Sequence, residues 1–138
     1  MDLEKAAMLQ SPAWLWVAFV ACGLAVGVPF WRVPYDDIAL PQTLVSLALA
    51  GIFFASLLST SLGWARVRRT IFVLGGAVPV AVMARAGWEA LQDPGTHALW
   101  PFELIIATFV GASVAAPGAV YGIILIAMLF LLPQVQEL

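Results

Sequence analysis

Four apolar runs govern what this chain can become. They cover about Ala13–Trp31, Thr43–Trp64, Ile71–Leu91 and Phe102–Leu132. Each matches or exceeds the roughly 17–20 residues that cross a hydrocarbon core of ~30 Å at 1.5 Å rise per residue. Inside such a core every backbone N–H and C=O must find its partner within the protein, which leaves only helices and closed barrels. The runs lack the alternation of barrel strands, so helices are predicted. The expected fold is an all-α integral membrane protein, a compact bundle of four transmembrane helices forming one domain over residues 1–138.

Composition excludes the alternatives. Of 138 residues, 63% are hydrophobic and 10% charged, against about 45–50% and about 25% in soluble domains. A soluble chain of this size has no interior large enough for that apolar surface. Eight acids against six bases leave no basic footprint, so no nucleic-acid partner is expected. Cys22 is the only cysteine, which excludes an intrachain disulfide and a CxxC redox pair. The start Met-Asp-Leu-Glu-Lys is acidic, and the run after it is long enough to span. A retained first span is therefore expected rather than a cleaved signal peptide.

Basic residues set the expected orientation. Arg66, Arg68 and Arg69 crowd the turn predicted at Ala65–Thr70, and Lys5 precedes the first span. The longer connections, Arg32–Gln42 and Gln92–Pro101, hold only Arg32 between them. The positive-inside rule then puts both termini and the arginine turn in the cytoplasm. Trp14, Trp16 and Trp64 fall at the inner edge and Trp31, Trp88 and Trp100 at the outer edge, as an aromatic belt requires. A bacterial inner membrane fits this pattern. Kinks are expected in the third span at Pro79 and in the fourth at Pro117, because proline removes a helical N–H. Small residues mark packing faces: Gly23 and Gly27; Ala48, Gly51, Ala55 and Ser59; and Ala107, Gly111, Ala115, Gly118 and Gly122.

Ionisable groups gather toward the outer face. Tyr35, Asp36 and Asp37 lie in the first outer loop, Asp93 and His97 in the second. Arg85 and Glu89 share one face of the third span, and Glu103 opens the fourth on its small-residue face. These eight residues form the candidate polar cluster, for binding or for structure. Arg85 lies deep enough to need a carboxylate, and Glu103 on the neighbouring helix is the expected partner, with Glu89 competing. One histidine and no local ligand spacing predict no metal site, and no motif calls for a cofactor. No GxSxG elbow is present, and no catalytic residue is assigned.

The function that follows is a small non-catalytic membrane protein, a subunit or accessory protein of a membrane assembly. It would dock through its outer loops and small-residue faces, with membrane lipid and other subunits or a second copy as partners. An oligomeric channel or transporter using the Arg85, Glu89 and Glu103 cluster is the alternative. A lipid-modifying enzyme using His97 with Asp93 or Asp36 is the third reading.

Overall fold

The computed structural model of the protein describes residues 12–32, 43–63, 65–92 and 100–135. Among the described residues it holds five helices and no strand: α1 Pro12–Arg32, α2 Thr43–Ser61, α3 Val67–Gly75, α4 Ala77–Gln92 and α5 Trp100–Val135. They make four crossings long and apolar enough for a membrane, with α3 and α4 together forming the third. The chain therefore has the architecture of a multi-pass membrane protein.

The helix ends follow from local chemistry. Pro12 opens α1 and Pro101 lies in the first turn of α5, where a missing N–H costs nothing. The second span stops at Ser61, short of Trp64. Gly63 adopts φ +68°, a left-handed conformation that only glycine takes cheaply and that ends helices. The Ala65 N–H then returns to the Ser59 carbonyl at 3.2 Å. The third span starts earlier than the apolar run, at Val67, so Arg68 and Arg69 occupy the first turn of α3 and not the connecting turn. Long arginines tolerate this, since the stem packs on apolar surface while the head reaches water; the Arg68 guanidinium lies 5.8 Å from the Phe72 ring centre.

Gly76 separates α3 from α4. Its N–H bonds to Phe72 O at 3.1 Å, and its carbonyl accepts from Val80 N–H at 3.2 Å. Pro79 has no N–H for the Gly75 carbonyl, so the helical ladder is interrupted here. The helical break thus falls three residues before the proline itself. By contrast α5 runs without a break in its helix through Pro117.

The helices pack through small residues. α2 and α5 make the most extensive contact and run in the same direction, with Gly118 beside Phe53 and Ser56 and Gly122 beside Thr60. A Cβ on Gly118 would lie 3.0 Å from Ser56 Cβ and 3.1 Å from the Phe53 carbonyl carbon. Gly111 meets the Gly75 backbone, so α3 also approaches α5 closely. Ala107, Gly111, Ala115, Gly118 and Gly122 are all buried, as their spacing predicts. On α2 the buried face is Ala48, Ile52, Ser56, Ser59 and Thr60. Gly51 is exposed with nothing within 4 Å of its Cβ position, so the face expected from small residues alone is turned by about one position. Ile52, wholly buried, decides the orientation. On α1, Gly27 packs on Ala81, 3.6 Å from its Cβ position, but Gly23 faces open space.

α5 outruns the other described helices. Gly122 lies level with the end of α2, yet α5 continues to Val135. That is 13 residues, or about 20 Å of helix. Ile123, Ile124, Leu125, Met128, Leu129 and Phe130 are all exposed there.

Candidate functional site

Of the charged residues expected to act together, Arg85, Glu89 and Glu103 sit at the end of the bundle where α1 and α4 finish and α5 starts. Arg85 is 5% exposed, the only charged side chain among the described residues that is fully buried. Its Nε donates to Glu89 Oε1 at 2.7 Å, one turn further along α4. Its Nη1 donates to the Phe30 carbonyl on α1. The guanidinium also lies over the Phe30 ring, 4.8 Å from its centre. Trp31 Nε1 adds a bond to the Ala81 carbonyl at 3.3 Å. These contacts make a polar clamp between α1 and α4.

The Phe30 carbonyl explains why Arg85 points there. It is one of the last four carbonyls of α1, which lack an intrahelical donor. The residue that would donate, four positions on, is Pro34, which carries no N–H. A guanidinium from α4 supplies the bond, and its positive charge complements the negative end of the α1 dipole.

The ion pair is thus within α4, and the partner expected on α5 is displaced. Arginine before glutamate is the weaker order for an exposed i,i+4 pair. Here the geometry is governed by the second bond to Phe30, which turns Nε toward Glu89. Glu103 Oε2 is buried and without a hydrogen-bond partner. Two hydroxyl oxygens share that state, Ser56 Oγ and Thr70 Oγ1, both deep in the bundle.

Asp93, His97, Asp36, Asp37 and Tyr35 lie outside the described residues. Among the described residues no three of His, Cys, Asp and Glu come together as a metal-binding group. Of the eight candidate residues, the structure joins Arg85 and Glu89 directly. Sequence reasoning missed Phe30, Trp31, Trp88 and Gln92. Trp31, Arg85, Trp88, Glu89 and Gln92 line a polar pocket of about 260 Å³. A signal for Phe30 was available in Phe30-Trp31-Arg32-Val33-Pro34, a helix end whose carbonyl has lost its donor.

Toward the Arg66 end the buried polar groups among the described residues are hydroxyls. Ser59 Oγ donates to Ala55 O at 2.7 Å. Thr60 Oγ1 lies 2.9 Å from Ser56 O and 3.0 Å from Ala119 O on α5. These groups satisfy backbone carbonyls and offer no titratable atom for a relay. The chain matches no known protein family, no characterised protein and no solved structure.

Proposed function

We propose that this chain is a non-catalytic subunit or accessory protein of a membrane assembly in a bacterial inner membrane. Both termini are cytoplasmic in this reading, and the third and fourth spans are kinked at Pro79 and Pro117. The observation that carries the proposal is the excess length of α5. Its membrane-competent stretch, Trp100–Phe130, has 31 residues. Upright, that is about 46 Å against a hydrocarbon core of ~30 Å. The excess lies where no other described helix covers it, and its side chains are large and apolar. Such a surface outside a bilayer calls for a partner. The small-residue face of α5 is already used inside the bundle, which leaves the opposite, large-residue face for docking.

Mild-detergent purification with native mass analysis tests this. The full chain should be recovered in a complex of fixed stoichiometry. Leu129→Glu should release the complex without lowering the chain's own melting temperature, because this side chain is 61% exposed. A monomer under all mild conditions, for the unaltered chain, would overturn the reading. Orientation is tested separately in a Cys22→Ala background. H97C should react with an impermeant thiol reagent in intact cells, and V67C should be protected.

The channel or transporter reading draws on Glu103, whose buried unpartnered oxygen lies in the same half of the bundle as Arg85. Against it, the described inner half offers only Ser56, Ser59, Thr60 and Thr70 as buried polar groups. A conducting path needs more polarity than that along its length.

A further inference from the structure

The end of the bundle opposite the clamp carries a different charge pattern. Arg66, Arg68 and Arg69 fall within four consecutive positions, and all three are exposed. The only carboxylates among the described residues are Glu89 and Glu103, both at the clamp end. The helix does not compensate these cations itself. Arg66 is the N-cap of α3 and makes no side-chain cap bond, and the first turn holds no acid. N-cap and N3 are the positions whose side chains converge on one turn in a capping box, ordinarily a hydroxyl and a carboxylate or amide. Here they are Arg66 and Arg69, two like charges at the positive end of a helix dipole. Neither can accept a hydrogen bond, so only an anion from outside α3 offsets the pair.

Arg68 identifies the source of that anion. It lies inside the membrane-competent stretch Val67–Gln92, and its guanidinium stands 5.8 Å from the Phe72 ring centre. Phe72 is 69% exposed within that apolar stretch, so its ring faces lipid. The guanidinium is thus held on the lipid side of α3. A cation beside an exposed ring at the end of a span belongs to the boundary between acyl chains and headgroups. Lipid phosphates occupy that layer. An anion in bulk water reaches Arg66 and Arg69 but has no reason to lie beside Phe72.

We infer that Arg66, Arg68 and Arg69 bind the phosphate of one anionic phospholipid, from the leaflet at the Arg66 end. A guanidinium donates through a planar fork that matches two phosphate oxygens. Arg66 and Arg69 hold the phosphate at the end of α3, Arg68 holds it from the lipid side, and the start of the acyl chain runs past Phe72. The headgroup is anionic because of the charge balance at the turn. A phosphate with no ammonium of its own relieves three neighbouring cations, whereas a choline headgroup brings a fourth.

The test is native mass analysis of the full chain in mild detergent, with phosphatidylglycerol or phosphatidylcholine of identical acyl chains added. The unaltered chain should retain one phosphatidylglycerol, about tenfold in preference to phosphatidylcholine. Arg68→Gln should lower that retention about fivefold, and the Arg66→Gln, Arg69→Gln double variant about 25-fold. Arg32→Gln, which removes an exposed arginine at the clamp end, should leave it unchanged. Inorganic phosphate added to the detergent solution should not displace the lipid. Should the glutamine variants fail to fold, the melting temperature of the unaltered chain reads the same site, rising with phosphatidylglycerol and not with phosphatidylcholine. Equal retention of the two lipids with no such rise overturns the anionic headgroup. A loss from Arg32→Gln as large as that from Arg68→Gln overturns the α3 turn as the site. Displacement by inorganic phosphate overturns the lipid as its occupant. None of these results depends on whether the chain has a protein partner.

Discussion

The α2–α5 seam and the α1–α4 contact hold helices together by opposite means. In the seam, glycines let backbones touch, and cohesion comes from many short van der Waals contacts. Between α1 and α4, only Gly27 allows a close approach, at 3.6 Å to Ala81, and much of the α1 surface faces outward. There the attachment is a few directed bonds from Arg85 and Trp31 to carbonyls and a carboxylate. Lipid tails are as apolar as leucine, so burial of apolar area alone cannot join helices in a bilayer. The seam answers this with shape and the clamp with polarity. A shape-based contact fails when atoms are added; a polarity-based one fails when a partner is removed.

The largest effect should come from adding atoms to the seam. Gly118→Val places carbon where the Phe53 carbonyl and Ser56 Cβ already sit. The backbones must separate, so the expected loss is about 3 kcal/mol or more. Gly23→Val, a like substitution in a glycine of the α1 pair, meets open space and should change stability by less than about 0.5 kcal/mol. Unfolding midpoints in detergent compare the two directly. Equal losses at both positions would break the distinction between a packed seam and an open face.

Removing partners from the clamp should come next, and unequally. Glu89→Met takes the ion-pair carboxylate from a guanidinium that is almost wholly buried, at a cost of about 3 kcal/mol. Arg85→Met leaves a carboxylate that is 31% exposed and able to reach water. Its cost is about 2 kcal/mol, mainly the Phe30 carbonyl left without a donor. The double variant should lose less than the two single losses combined. An inverted order, with Arg85→Met the costlier, would show that the arginine matters for α1 more than for Glu89.

The sequence made the four crossings legible because twenty apolar residues in a row have few other fates. Their ends were less legible. Gly63 and the arginines of α3 shift two boundaries, through a left-handed turn and a snorkelling side chain that hydropathy does not register. The small-residue stripe of α5 was read correctly, since every member points the same way. The α2 face was misjudged because Ile52, a large residue, fills the core between small ones. At the site, Arg85 and Glu89 were readable from their spacing. The choice between Glu89 and Glu103 was not, since it depends on the donor that Pro34 withholds from Phe30, a contact between helices 55 positions apart.

A smaller effect is expected across α4 and α5. Glu103 has one buried carboxylate oxygen, Oε2, but none of the hydrogen bonds that Arg85 makes. A double-mutant cycle of Arg85→Met with Glu103→Gln should give a coupling within about 0.5 kcal/mol. The cycle of Arg85→Met with Glu89→Met should exceed about 1 kcal/mol. Strong coupling to Glu103 would extend the clamp to a third helix.

The smallest effect tests whether the seam owes anything to polarity. Thr60 Oγ1 is the one side-chain bond among those described that joins α2 to α5, at 3.0 Å to the Ala119 carbonyl. It also lies 2.9 Å from Ser56 O and 3.1 Å from Leu57 O. A hydroxyl has one proton, so these three acceptors share a single donor. All three carbonyls stand within helices, where the N–H four residues on already bonds to them. Thr60→Val therefore orphans none of them. Its cost should be about 0.6 kcal/mol, the mean for interhelical side-chain bonds in membranes, with a small addition where the new methyl meets Gly122. Thr60→Ser, which keeps the hydroxyl and removes a methyl, separates the two contributions. If polarity is minor, Ser should be no more stable than Val, because the lost methyl offsets the kept proton. A loss above about 2 kcal/mol for Val, restored by Ser, would mean that the seam too is held by a directed bond, and the contrast with the clamp would disappear.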